Sequence, residues 1–195
     1  FLHGLTKPDT ITTYWCKAYM QWLENLQFEY DSDSFILEEL LDGYYHIRSK
    51  LAKLLHCLKT LAKNVKYDTN YQFLTALKGV GLITAMTFLL EIMDFKRFKN
   101  SDRFASFLGL TPSQFSSGEH VRLGHISKEG NPHLRHVLIE SAWTVIKHDP
   151  HLREKYNRIR AKGTNGNKAI VAVARSLAIR MRACILQQAA YGCAA

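Results

Sequence analysis

The strongest constraint in this sequence is a run of apolar residues between Leu40 and Val65. Leu40, Tyr44, Ile47, Leu51, Leu54, Leu58, Leu61 and Val65 step by 4, 3, 4, 3, 4, 3 and 4. That rhythm winds a single apolar seam along a helix and excludes a strand, whose side chains alternate with period two. Arg48, Lys50, Lys53, Lys59 and Lys63 fall mostly off the seam. Such a seam serves either a long helix packed inside its own domain or a coiled coil that joins copies of the chain. We expect the second, a homo-oligomer held through this helix.

The segments on either side are also helical in pattern. In "TTYWCKAYMQWLENLQ", Trp15, Tyr19, Trp22, Leu23 and Leu26 stand at helical spacing. Asp33 or Ser34 is positioned to cap the long helix that follows. "FLTALKGVGLITAMTFLLEI" sets two apolar helices around Gly79-Val80-Gly81, the pattern of a helix-hairpin-helix. There the turn's backbone N–H groups would hold a phosphate, with Lys78 adding charge. A tight helical hairpin that needs glycine only for its backbone freedom reads the same way.

Farther on, "SDRFASFLGL" reads as a short helix capped by Ser101 or Asp102. Asn131-Pro132 and Asp149-Pro150 each pair a capping residue with a proline at the first helical position. They open helices to about Lys147 and Lys162, and "KAIVAVARSLAIRMRACILQQAA" is a last long helix. Between them, "TPSQFSSGEHVRLGHISKEG" is a loop or small hairpin. The expected fold is mainly α: a linker and coiled-coil region over 1–68, then a helical domain over 69–195.

Charge divides the chain. Residues 1–95 hold 9 Lys and Arg against 11 Asp and Glu, whereas residues 96–195 hold 17 against 6. The whole excess of +9 therefore sits in the second half, as expected for a polyanion partner such as DNA. An apolar fraction of 47% with no run of transmembrane length indicates a soluble protein and no membrane partner. Cys16, Cys57, Cys184 and Cys193 show no CxxC spacing, so zinc and redox sites are not indicated. Reduced thiols point to the cytoplasm. The chain opens on Phe1 without a signal peptide's apolar core, and it reads as a piece of something longer.

One loop carries chemistry. Ser116-Ser117-Gly118 is followed by Arg122, His125, Lys128, His133 and Arg135. A serine hydroxyl is a poor nucleophile without a base or electrostatic help. Cations in this number suit a phosphodiester, whose non-bridging oxygens gather charge in the transition state. Serines on a turn also commonly bond their own backbone, and spacing alone leaves both roles open. No GxSxG elbow and no P-loop is present.

Three ordered stretches decide between them by resemblance. "LKGVGLITAMTFLLEI", "FASFLGLTPSQFSSGEHVRLGHISKEGNPHLRHVLIESAW" and "NKAIVAVARSLA" together resemble the C-terminal transposase domain of the IS110 family of insertion sequences. "FLHGL", "YMQWLE" and the long charged helix are similar to that family's linker and coiled coil. The resemblance implies a DNA recombinase that cleaves and rejoins DNA through a phosphoserine link, with Ser117 as the nucleophile and Ser116 as the fallback. It also implies a guide RNA and an N-terminal RuvC-like domain whose acidic residues bind Mg2+. That domain is not in this chain, so no metal site is expected here. Asp94 and Asp102 read as surface or capping carboxylates. The expected nucleic-acid contacts are Lys78, Gly79, Gly81, Arg122, His125, Lys128, Asn131, Arg135, Lys168 and Arg175. The alternative is a non-catalytic, dimeric helix-hairpin-helix module that binds DNA.

Overall fold

The computed structural model describes residues 4–117, 120–126 and 129–190, with 112–117 and 120–125 described through their backbone. The described chain is mainly α, with eight helices and one two-stranded hairpin among the described residues. It divides into two compact units, Phe1–Cys57 and Leu58–Ala195.

The first unit holds α1 (Lys17–Glu24) and most of α2 (Asp31–Ala62). Cys16 caps α1 by accepting a bond from the Tyr19 N–H at 3.4 Å. The apolar pattern of 12–27 is a helix only from residue 17, because Trp15 takes a left-handed φ of 63° just before it. Its ring stacks on Tyr44 of α2, 5.5 Å between centroids. Tyr45 donates a 2.5 Å bond to Glu24, which raises the phenol's pKa from its ordinary value by stabilising the protonated form. Only Ile11 and Met20 are buried among the described residues of this unit.

Helix α2 carries the expected seam as far as Leu61, but it ends at Ala62. The Asn64 carboxamide accepts from the Lys66 N–H at 3.0 Å and closes a turn there. Val65, expected as the last seam residue, therefore lies beyond the helix and is 95% exposed. The division between units falls inside α2 because Ala62 is buried in the second unit's core and Leu58 packs against it.

The second unit continues with α3 (Asp68–Thr75), α4 (Leu82–Ile92), α5 (Ser101–Phe107), β1 (Pro112–Ser117), β2 (His120–Ile126), α6 (Pro132–His148), α7 (Pro150–Arg160) and α8 (Gly166–Gln187). Helix α8 is central and packs against α3, α5, α6 and α7. Ile170, Val173, Ala174, Leu177, Ala178 and Met181 recur at helical spacing and are buried. Each fully buried large side chain stabilises by about 1.5–3 kcal/mol, less the cost of ordering it. Phe88, Phe95, Phe98, Phe104 and Phe107 form a run of ring contacts beside that layer.

Caps set the helix starts. Asn131 and Asp149 each accept a first-turn N–H, and a proline follows each of them. The short helix α5 differs from expectation by one residue. Asn100, not Ser101 or Asp102, is its cap, accepting from the Arg103 N–H at 2.9 Å. Ser101 and Asp102 then occupy the first turn. No helix among the described residues is long and apolar enough to cross a membrane.

Candidate nucleic-acid interface

The serines lie on an antiparallel hairpin. "HVRLGHI" alternates polar and apolar residues from His120 to Leu123, and a Gly-Glu pair separates it in sequence from "PSQFSS". Ser117 is the last residue of β1 and pairs with His120; Ser116 pairs with Val121, and Arg122 with Phe115. Ser117 is thus the residue next to the connection, two register steps from Arg122. The ladder is irregular between Pro112 and Gln114, where proline has no N–H to give. His125 lies on β2. Lys128 and Gly118 lie outside the described residues.

The base of the hairpin is fixed by two glycines. Helix α5 ends with Gly109 at φ 65°; the Gly109 N–H bonds the Ser106 carbonyl and the Leu110 N–H bonds that of Ala105. This pair of bonds is the left-handed stop that glycine adopts without strain. Gly130, on the return side, lies so close to it that a Cβ there would stand 2.2 Å from the Phe107 carbonyl oxygen. The guanidinium of Arg135 donates to the Gly130 carbonyl at 3.3 Å. The same guanidinium is the nearest atom to a Cβ built on Gly109, at 2.7 Å.

Asn131 sits one residue on. Its side-chain oxygen accepts from the His133 and Leu134 N–H groups at 2.9 and 3.2 Å, and its amide donates to Glu91 at 2.6 Å. Asn131 and Arg135 are therefore occupied in shaping the junction of hairpin and α6. Arg135 retains further donors on its fork, since a guanidinium carries five.

The glycine turn divides its work unevenly. Gly79 has φ 101°, and a Cβ on it would lie 2.8 Å from Val145 Cγ2 and 2.9 Å from the Val145 nitrogen. It is needed for its backbone angle and for close approach to α6. Gly81 has φ −95° and nothing within 4 Å of its Cβ position. The Val80 N–H is taken by the Leu77 carbonyl at 2.9 Å. Gly81 caps α4 with no side-chain acceptor, which leaves first-turn N–H groups without an intrahelical partner. Lys78 beside it is exposed.

Val145 and Asn131 mark opposite ends of α6. At 1.5 Å per residue, about 20 Å of helix separates the glycine turn from the hairpin base. The structure thus gathers Gly109, Gly130, Asn131 and Arg135 at the hairpin base and keeps Lys78, Gly79 and Gly81 apart from them. Lys168 is exposed in the first turn of α8, and Arg175 on the same helix donates to Asp102 at 2.7 Å.

Sequence patterns do not separate surface cations from cations used inside the fold. Arg182 donates to the Phe98 and Phe95 carbonyls at 2.7 and 3.4 Å and lies over the Phe104 ring. Arg153 donates to the Ile146 carbonyl at 2.8 Å. Arg182 ties the segment between α4 and α5 to α8, and Arg153 ties the end of α6 to α7. Among the described residues, no group of three His, Cys, Asp or Glu converges as metal ligands would.

The hairpin, its glycine base and the glycine turn all fall within residues 71–157, the segment matched by the sequence model of the IS116/IS110/IS902 transposase family. These residues form a transposase domain of that family. A putative transposase of Sinorhizobium fredii is 27% identical over 90% of this chain and 48% of its own length. A probable family 20 transposase of Pseudomonas aeruginosa is 35% identical over 57% of the chain and 32% of its own. The transposase for insertion sequence element IS1111A of Coxiella burnetii is 30% identical over 75% of the chain and 45% of its own. The chain spans about half the length, or less, of these relatives. The matched segment begins within α3 and ends within α7, and the compact unit that holds it continues through α8.

Proposed function

We propose that this chain carries the DNA-cleaving and rejoining part of a transposase, with Ser117 as the nucleophile. One observation carries the reading: within the transposase domain, Ser117 stands at the tip end of a hairpin whose base is fixed by Gly109 and Gly130. A nucleophile at a strand end beside a short connection can approach a DNA backbone. A rigid base holds it in register while the DNA bends or exchanges.

The Ser117 hydroxyl would attack a backbone phosphorus and lose its proton. The bond from phosphorus to the departing strand's oxygen breaks, and that oxygen takes up a proton. A phosphoserine diester results. Attack by a hydroxyl on the incoming strand reverses the step and frees the serine, so the ester conserves the bond and no nucleotide cofactor is consumed. His125 on β2 is the candidate base. Arg122 and Arg135 are the candidates for holding non-bridging oxygens, where one lost contact costs about 3 kcal/mol. Lys78, Gly79, Gly81, Lys128, Lys168 and Arg175 extend the DNA contact. Mg2+ would belong to a RuvC-like domain of the full-length protein, and a guide RNA and a dimer through α2 complete the proposed assembly. The compartment is the cytoplasm.

The start of α4, where Gly81 provides no side-chain cap, favours a second reading, a DNA-binding module without chemistry. The test is to join the chain to a RuvC-like domain, add guide RNA and DNA, and look for a protein–DNA adduct that survives denaturation. Ser117→Ala should abolish it while Ser116→Ala keeps it. The reverse result moves the nucleophile by one residue. An adduct in both variants, or in neither of them nor the parent, removes the serine mechanism.

A further inference from the structure

Helices α7 and α8 pack side by side and bring like charges together. Lys155 and Arg158 stand one turn apart on α7; Arg175 and Arg180 lie on α8. Lys155 is half-buried, and its ammonium donates to the Ser176 hydroxyl, which passes a bond on to the Ala172 carbonyl. Burial lowers the Lys155 pKa from its ordinary value, and the positive charges of Arg175, Arg158 and Arg180 lower it further.

Three carboxylates lie beside these four cations. Asp149 receives Arg180 at 2.5 Å while also capping α7 through the Leu152 N–H, and this pair is largely enclosed. Asp102, from α5, receives Arg175 at 2.7 Å but is itself 82% exposed. An exposed carboxylate on a surface arginine is held weakly. Glu154 stands one turn before Arg158 on α7 and lines the same shallow, open depression with Pro150, Arg153 and Asn157, so it offsets Arg158 only at the surface. The cluster therefore keeps a local excess of positive charge, with an exchangeable anion on one of its members.

We propose that Lys155, Arg158 and Arg175 form a seat for the phosphodiester backbone of nucleic acid, and that the Asp102 carboxylate occupies part of it when no nucleic acid is bound. A phosphate takes the place of Asp102 on the Arg175 fork, two N–H groups facing two non-bridging oxygens. Lys155 and Arg158 take the same phosphate or its neighbour along the strand. Asp102 acts as a competing anion that sets the threshold for binding. Arg180 stays on Asp149 and serves the packing of α7 on α8. The seat rests on the proposed DNA partner and adds to it a surface outside the hairpin, with a built-in competitor.

The test uses this 195-residue chain with a labelled 20-base-pair DNA duplex and, separately, single-stranded RNA of equal length, titrated from 0.05 to 0.2 M salt. Replacing Lys155, Arg158 and Arg175 by Gln should reduce the log–log salt slope by about 2–3 and weaken binding about tenfold or more at 0.15 M. Asp102→Asn should strengthen binding several-fold. Changing Lys50, Lys53 and Lys59 to Gln, three cations on α2, should move neither quantity as far. Should the triple variant fail to fold, exposed Arg158→Gln and Asp102→Asn carry the test. Equal effects on DNA and RNA, or a larger one on either, support the seat and identify the strand it serves. A parent that binds, with the slope and the Asp102→Asn affinity unchanged, overturns the seat and leaves the DNA reading standing. A parent that binds neither nucleic acid overturns both.

Discussion

Thr84 Oγ1 and Ser141 Oγ lie 2.8 Å apart, joining α4 to α6 through a hydroxyl pair closed off from solvent. These are the buried polar side chains among the described residues, at 8% and 5% exposure. Removing one hydroxyl leaves its partner without a bond in a dry site. Ser141→Ala should therefore destabilise by about 1–3 kcal/mol, whereas Thr84→Val with Ser141→Ala should recover most of that loss. Urea unfolding of the two singles and the double measures the coupling; additive losses would mean the pair does not act as a unit.

The two glycines of the α3–α4 turn should respond differently. Gly79→Ala meets both a left-handed φ and the backbone of Val145, for a loss of about 2–4 kcal/mol. Gly81→Ala adds a methyl in open space at a cap position and should cost about 1 kcal/mol or less. Thermal unfolding ranks them. The folded Gly81→Val protein then asks about function: reduced DNA affinity supports a phosphate held at the α4 N-terminus, and unchanged affinity leaves the turn a structural one.

On α2, Leu51 and Leu54 are 54% and 68% exposed within one chain. Glutamate at both sites should leave the folding of the single chain almost unchanged. If two copies meet along this seam, the same change places unpaired charge in the contact and dissociates them. Sedimentation velocity at micromolar concentration should show a parent dimer and a variant monomer. A monomeric parent would assign the seam another role.

Thiol chemistry offers a probe of the second unit's core. Cys184 is 3% exposed, and burial pushes its thiol pKa up from the ordinary value, so less of the reactive thiolate is present at a given pH. Cys57 is exposed. Iodoacetamide at pH 8 should modify Cys57 readily and Cys184 at a rate that follows opening of α8. Equal rates, read by mass spectrometry of peptides, would contradict the packing of that helix.

Local signals in the sequence mark helices where several coincide, whereas a lone capping residue misplaces the start of α5 by one residue and that of α2 by more. Asn131-Pro132 and Asp149-Pro150 mark helix starts because cap and proline act within one turn. The seam from Leu40 to Leu61 marks a helix because periodicity is itself local. Contacts across the chain left no such trace. Arg182 reaches carbonyls at Phe95 and Phe98, and Asn131 reaches Glu91, so composition counts them merely as polar surface. The sequence shows two glycines at 79 and 81, but only the position of Val145 reveals which one is irreplaceable. Ser117 was visible as a serine beside glycine, and the hairpin register adds its neighbours His120, Val121 and Phe115 with Arg122.

The contact of Gly130 with Phe107 and Gly109 has a consequence for how this domain can change. Because the chain leaves the helical layer and rejoins it at one point, the segment between behaves as an exchangeable cassette. Its length can change beyond the buried Leu110 without altering where α5 stops or α6 starts. Closing a longer flexible segment across fixed ends costs little, about 0.6 kcal/mol per doubling.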